Sequence, residues 1–283
     1  MRSARIGPLV VGPDAGRLTL IAGPCVAESR GLCLEVAVAA SAICRRLGVQ
    51  YVFKASFDKA NRTSGCAYRG PGLEKGLSIL AEVRERVGVP VCTDIHEPRQ
   101  AALVASTVDL VQVPAFLCRQ TDLLTAAART GRCVNVKKGQ FMAPMDMRHA
   151  IGKVEAAGNR DIILTERGVT FGYNTLVVDF TSLPLMRGLG YPVCMDATHA
   201  VQRPGAGDGQ SGGNRRFVAH LARAAAAVGI DALFLEVHPD PERALSDSAS
   251  MLPLAGLEAL LSDVAAIDAI VRAAGGPAGL AEE

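Results

Sequence analysis

The feature that most restricts this chain is a rhythm repeated eight times between residue 18 and about residue 270. Short apolar runs at 18–22, 51–55, 89–93, 110–114, 133–136, 162–165, 193–196 and 233–237 alternate with amphipathic or alanine-rich stretches such as 73–87, 121–129 and 217–228. The runs are rich in β-branched residues, as strands buried on both faces should be. Gly48, Gly88, Gly131, Gly158, Gly190 and Gly229 each fall between a helical stretch and the next run, where a helix cap is expected. Eight βα units in about 250 residues predict an α/β chain folded as a (β/α)8 TIM barrel, a single domain. The barrel is expected over 18–272, after an N-terminal extension over 1–17 and before a flexible C-terminal tail over 273–283. A doubly wound sheet would favour a glycine-rich turn directly after the first strand, but AGPCVAES contains no GxGxxG and no Walker pattern.

Composition removes several function classes. No apolar run approaches the roughly 20 residues of a membrane span, and no charged-then-apolar leader opens the chain, so a cytoplasmic protein without a membrane partner is expected. A net charge of +2 is too balanced for a nucleic-acid partner, so any basic site must be local. The eight cysteines form no CxxC pair, which argues against a disulfide framework or a zinc ribbon. Cys33, Cys44, Cys92, Cys133 and Cys194 sit in apolar segments and are expected as small core residues.

In barrels of this type, catalytic groups stand at the C-terminal ends of the strands. The segment KASFDKANRTS, at 54–64, begins where the second strand ends and sends Lys54, Lys59 and Arg62 past it. Lys137 and Arg167 end strands five and six, and Asp94 ends strand three. Lys54, Lys59, Lys137 and Arg167 suit a small anion bearing phosphate and carboxylate, since arginine offers a planar fork and lysine a point charge. A chain without Trp and with four Tyr offers no stacking platform for a nucleobase. Cys25, His199, Glu236 and Asp247 follow strands one, seven and eight, which are neighbours once the barrel closes. A thiolate, an imidazole and two carboxylates suit a divalent transition metal. Taken singly, the same residues also read as a core thiol, a packed histidine, a base and a helix cap. The run QRPGAGDGQSGGN at 202–214, with five glycines, is a candidate lid over a bound substrate.

KASFDKANRTS, TDIHEP, QVPAFLCRQTDLL, NVKKGQF, ILTERG, DATHAVQRPG and LEVHPDPERALSD together resemble the 3-deoxy-D-manno-octulosonate 8-phosphate synthase family, in motif order and over nearly the whole chain. The resemblance implies condensation of phosphoenolpyruvate with D-arabinose 5-phosphate and water, releasing phosphate, for lipopolysaccharide biosynthesis. Carried over by motif, Lys54, Ser56, Lys59, Gln112, Ala115, Lys137 and Arg167 would hold phosphoenolpyruvate, with Asp94 also among the substrate-binding residues. Asn61, Arg62 and Thr63 would take the aldose phosphate and reach towards a neighbouring subunit, which implies a homotetramer with sites near subunit interfaces. The family divides into metal-dependent and metal-independent enzymes by a Cys or an Asn after the first strand. Cys25 in IAGPCVAES, with Gly139 and the ALSD run, places this chain with the metal-dependent class. Cys25, His199, Glu236 and Asp247 then become ligands of manganese, iron, zinc or a similar ion and, with Lys137, the catalytic set.

Three other readings compete. A 3-deoxy-D-arabino-heptulosonate 7-phosphate synthase would use erythrose 4-phosphate. It usually carries a KPRTS-like run where this chain has KANRTS, and Asn61 can bond hydroxyls of a longer sugar where Pro has no donor. A Schiff-base aldolase would use Lys137 as nucleophile. A non-catalytic phosphosugar-binding protein gives no reason for a thiolate metal set beside the cations.

Overall fold

A computed structural model describes residues 1–62, 65–173, 175–205 and 212–280. Eight parallel strands close into a barrel: β1 (Thr19–Gly23), β2 (Gln50–Lys54), β3 (Val91–Asp94), β4 (Leu110–Val113), β5 (Cys133–Lys137), β6 (Ile162–Glu166), β7 (Val193–Asp196) and β8 (Ala232–His238). Each pairs with its neighbours in sequence, and β8 closes the ring by pairing with both β7 and β1. Eight helices surround it: α1 (Arg30–Leu47), α2 (Leu73–Val87), α3 (Ala101–Thr107), α4 (Thr121–Arg129), α5 (Met147–Ala156), α6 (Ser182–Gly188), α7 (Val218–Val228) and α8 (Leu257–Ala273). The expected (β/α)8 architecture is therefore borne out, with strand limits shifted by a residue or two. Proline sets two of the shifts: β3 begins only after Pro90, and β4 stops before Pro114.

Helix ends follow local chemistry. Ser29 Oγ accepts from the Leu32 amide at 3.2 Å and caps α1. Gly48 and Gly88 end α1 and α2 at φ 69° and 72°, a left-handed conformation that a side chain would strain.

The period of two along each strand sorts side chains between two cores. Leu20, Phe53, Val111, Val134, Leu164, Val193 and Leu235 face outward and pack with the helices. Their alternates Ile21, Val52, Cys92, Leu110, Cys133, Ile163, Cys194 and Phe234 fill the barrel interior. Ala4, Ile6 and Val11 join this inner cluster from the antiparallel hairpin Ala4–Ile6 and Leu9–Val11, which covers the N-terminal end of the barrel. The five cysteines expected in apolar surroundings are all buried in one or other core.

Two residues further along each strand, the inward position changes character. Ile21 gives way to Gly23, Val52 to Lys54, Cys92 to Asp94, Leu110 to Gln112, Ile163 to Thr165, Cys194 to Asp196 and Phe234 to Glu236. An apolar layer thus carries a polar layer at the C-terminal end. Gly23 is required there by space, since a Cβ would lie 2.1 Å from the Lys54 carbonyl oxygen. The expected lid contributes a short ladder, Gln202–Arg203 against Gly212–Gly213, while its middle, 206–211, lies outside the described residues. No helix among the described residues is long and apolar enough to cross a membrane.

Gly23→Ala is expected to force β1 and β2 apart beside Lys54. Thermal denaturation should show a loss of about 1–3 kcal/mol, the cost of overpacking a closed core. An unchanged midpoint would contradict this account of the β1–β2 contact.

Candidate active site

Above the polar layer opens a cavity of about 400 Å³. Lys54, Lys59, Asn61, Arg62, Asp94, Gln112, Ala115, Lys137, Arg167, His199 and Asp247 all line it. Ser56, Cys25 and Glu236 are buried beside these groups without lining the cavity, and Thr63 lies outside the described residues. The structure therefore gathers the expected residues from distant parts of the chain at one strand-end mouth.

The three lysines each face a carboxylate: Lys54 and Lys137 closely, and Lys59 at 3.8 Å from Glu236 Oε1. Lys54 Nζ lies 3.2 Å from Asp94 Oδ1 and donates to Ser56 Oγ at 2.8 Å, and Ser56 in turn bonds Asp94. Ser56 thus bridges Lys54 to Asp94. Lys137 Nζ lies 2.5 Å from Asp196 Oδ2 and 3.8 Å from the centre of the Phe234 ring, two partners suited to a cation. Burial alone would raise the Asp94 and Asp196 carboxyls. Lys54 beside Asp94, and His199 with Lys137 beside Asp196, outweigh it and hold both below the usual carboxylate range. Burial likewise lowers Lys59, but Cys25, Glu236, Asp94 and Asp247 around it raise it well above an ordinary lysine. Arg167 Nη2 donates to Gln202 Oε1 at 2.9 Å and to the His199 carbonyl at 3.2 Å. Its Nη1 is buried without a partner, as is Arg62 Nη2. Two unpartnered guanidinium donors at this cavity suit an anionic ligand.

The second group meets below the cavity. Ligand atoms of Cys25, Glu236 and Asp247 all lie within 4.8 Å of one another. Cys25 Sγ lies 2.9 Å from Ser246 Oγ and 3.1 Å from Asp247 Oδ2, and its one S–H can donate to the carboxylate. His199 Nε2 stands 3.5 Å from Glu236 Oε1 and 3.9 Å from Asp247 Oδ2. Its Nδ1 is 2.7 Å from Asp196 Oδ2 without the angle of a hydrogen bond, and the His199 backbone amide donates to Asp196 Oδ1 at 2.9 Å. Both Glu236 carboxylate oxygens are buried and accept no hydrogen bond; their nearest cations, Lys54 and Lys59, are 3.8 Å away. Asp247 is the one non-glycine residue with positive φ among the described residues, at 49°, so backbone conformation delivers its carboxylate. Burial, then Asp247 and Glu236, push the Cys25 thiol well above its ordinary value, so a metal must displace a proton from it. Orphaned carboxylate oxygens, a buried thiol and a neighbouring imidazole fit a divalent ion.

Sequence reasoning left some residues of this site without a role. Asp196 serves both Lys137 and His199; its signal was the three-residue spacing from His199 in DATH. Ser246 was hidden beside Asp247. His96 and Gln140 also line the cavity, each with a buried side-chain atom lacking a partner.

A model described as the DAHP synthetase I family matches residues 6–272. The chain belongs to the DAHP synthetase I family. Within that family it is similar to three proteins named 2-dehydro-3-deoxyphosphooctonate aldolase. One from Cyanothece sp. is 61% identical over 254 residues, covering 90% of this chain and 93% of the relative. Another from Trichlorobacter lovleyi is 57% identical over 268 residues, covering 94% and 98%. A third from Geobacter sulfurreducens is 55% identical over 271 residues, covering 96% and 99%. The chain covers these relatives almost end to end.

Cobalt(II) added to metal-stripped protein should produce a sulfur-to-metal charge-transfer band, because Cys25 supplies a thiolate. Cys25→Ala should abolish the band while leaving circular dichroism unchanged. A band that survives the substitution would place the metal elsewhere.

Proposed function

We propose that this chain condenses phosphoenolpyruvate with D-arabinose 5-phosphate and water to give 3-deoxy-D-manno-octulosonate 8-phosphate and phosphate, the synthase step that serves lipopolysaccharide biosynthesis. The supporting observation is one cavity lined by cations from the ends of β2, β5 and β6 and by Asp247, whose carboxylate also belongs to the buried Cys25, Glu236 and Asp247 cluster.

Phosphoenolpyruvate carries a carboxylate and a phosphate, and Lys54, Lys59, Lys137 and Arg167 are placed to hold both, with Gln112 and Ala115 along the wall. Gln112 is fixed by Asn135 at 3.1 Å, and Asn135 by Thr165 at 2.6 Å, so this side of the site is rigid. Asn61 and Arg62 open onto the same cavity and take the aldose phosphate; Thr63, of the same motif, lies outside the described residues. Holding the two reactants face to face removes an entropic barrier worth about 7–11 kcal/mol at best. C3 of the enol phosphate attacks the aldehyde carbon, water adds at C2, and the phosphohemiketal expels phosphate by C–O cleavage. Cys25, His199, Glu236 and Asp247 would hold a divalent transition metal of the manganese, iron or zinc class, which supplies Lewis-acid polarisation of oxygen when bound. His199, held against Asp196, and the Glu236 and Asp247 carboxylates are the groups in reach for proton transfers.

A Schiff base at Lys137 would require its amine to give up both Asp196 and the Phe234 face. A homotetramer belongs to this reading: Phe116, Phe141 and Phe171 stand 55%, 56% and 70% exposed on loops after β4, β5 and β6, an apolar rim suited to a neighbouring copy. A cytoplasmic location agrees with eight reduced cysteines.

Turnover with D-arabinose 5-phosphate should exceed that with erythrose 4-phosphate, and the reverse preference would overturn the assignment. Removing metal with EDTA should abolish activity and adding divalent ions should restore it; full activity after stripping would refute the role of Cys25. Arg167→Gln should raise the KM for phosphoenolpyruvate about 10–100-fold, the worth of a lost charge-assisted contact. Borohydride reduction in the presence of product should leave no adduct on Lys137.

A further inference from the structure

One position out of phase with Lys137 and Arg167 lies a second pair of charges that the mechanism above does not use. Lys138 directly follows β5 and is fully buried; Glu166 ends β6 and is 1% exposed. Lys137 and Arg167 line the cavity, whereas Lys138 and Glu166 do not, so strand alternation sets this pair behind the cavity wall. Lys138 Nζ is 3.4 Å from Glu166 Oε1 and donates to the Met142 carbonyl at 3.3 Å. If packing were the only need, an apolar pair would serve at least as well, because burying two charges is costly.

The carboxylate has a further task. Glu166 Oε1 accepts from the Arg167 amide at 2.8 Å and from the Gly168 amide at 2.6 Å. Gly168 turns the chain there at φ +88°, a conformation few side chains allow. A backbone bond from Thr170 to the Gln140 carbonyl, 3.0 Å, ties this turn to the loop after β5. The backbone of Arg167 is thus held from behind, while Gln202 and the His199 carbonyl hold its guanidinium from the side. Nη1 is left buried and unpartnered.

We propose that Lys138 and Glu166 are positioning residues. Their buried pair fixes the turn at Arg167 so that its guanidinium stands ready for phosphoenolpyruvate before the substrate arrives. Neither residue touches substrate. The inference rests on the assignment of phosphoenolpyruvate to Arg167 made above.

The test is steady-state kinetics on the full-length, metal-loaded protein and on Glu166→Met, Glu166→Gln and Lys138→Met. Glu166→Met removes the acceptor and should raise the KM for phosphoenolpyruvate about 10–100-fold, the effect of misplacing a contact by about an ångström. The aldose KM should stay within about twofold, since Asn61 and Arg62 lie on a different loop. Glu166→Gln keeps an oxygen that can accept from both amides and should recover the phosphoenolpyruvate KM to within about threefold of the parent. A phosphoenolpyruvate KM unchanged in Glu166→Met, or a rise shared equally by both substrates, would overturn the proposal. Should Glu166→Met not fold, Lys138→Met carries the test: a phosphoenolpyruvate KM more than about threefold above the parent supports positioning, and a smaller change overturns it. A parent without phosphoenolpyruvate-dependent turnover would instead overturn the function itself, and this inference with it.

Discussion

The rest of this structure depends on buried charges being neutralised pairwise inside a closed barrel. A closed ring of parallel strands sends every second side chain inward. Here the first inward layer is apolar and seals the N-terminal end, while the next holds Lys54, Asp94, Asp196 and Glu236, with Lys137 one inward step above Asn135. Such charges are tolerable below the surface because each faces an opposite one, Lys54 with Asp94 and Lys137 with Asp196. That mutual restraint also fixes where they stand. Preorganised charge at a fixed position is what a reaction with developing negative charge can use.

The two groups in the cavity are linked through the same constraint. Glu236 lies 3.8 Å from both Lys54 and Lys59 and 3.5 Å from His199. It therefore faces the anion-binding cations on one side and the thiol and imidazole on the other. In the proposed reaction the aldose and the enol phosphate would meet at this boundary. Arg167 shows how far such support extends, because its backbone bonds the Glu166 carboxylate behind the wall and its guanidinium bonds Gln202 on the loop after the next strand.

Much of this was legible in the sequence because barrel strands are short apolar runs ending in functional residues. Lys54, Lys137 and Arg167 could be read directly from strand ends. The metal set was harder, since Cys25 and Asp247 stand at opposite ends of the chain and only closure of β8 on β1 brings them together. Residue spacing carries no trace of such a contact. The positive φ of Asp247, the double service of Asp196 and the thiol contact of Ser246 are properties of local geometry, absent from any residue pattern. The first residues showed no motif, yet Ala4, Ile6 and Val11 pack into the inner apolar cluster. A hairpin with three such residues reads as a short loop until the barrel end it covers is known.

The central claim is that the cations hold an enol phosphate so that its carbon, and not its phosphorus, is the centre attacked. Phosphoenolpyruvate labelled with heavy oxygen at the C2–O–P bridge, reacted with D-arabinose 5-phosphate, tests this most directly. The account predicts that the label leaves with phosphate, by C–O cleavage, as the eight-carbon sugar acid forms. Retention of the label in the organic product would mean cleavage at phosphorus and would contradict it.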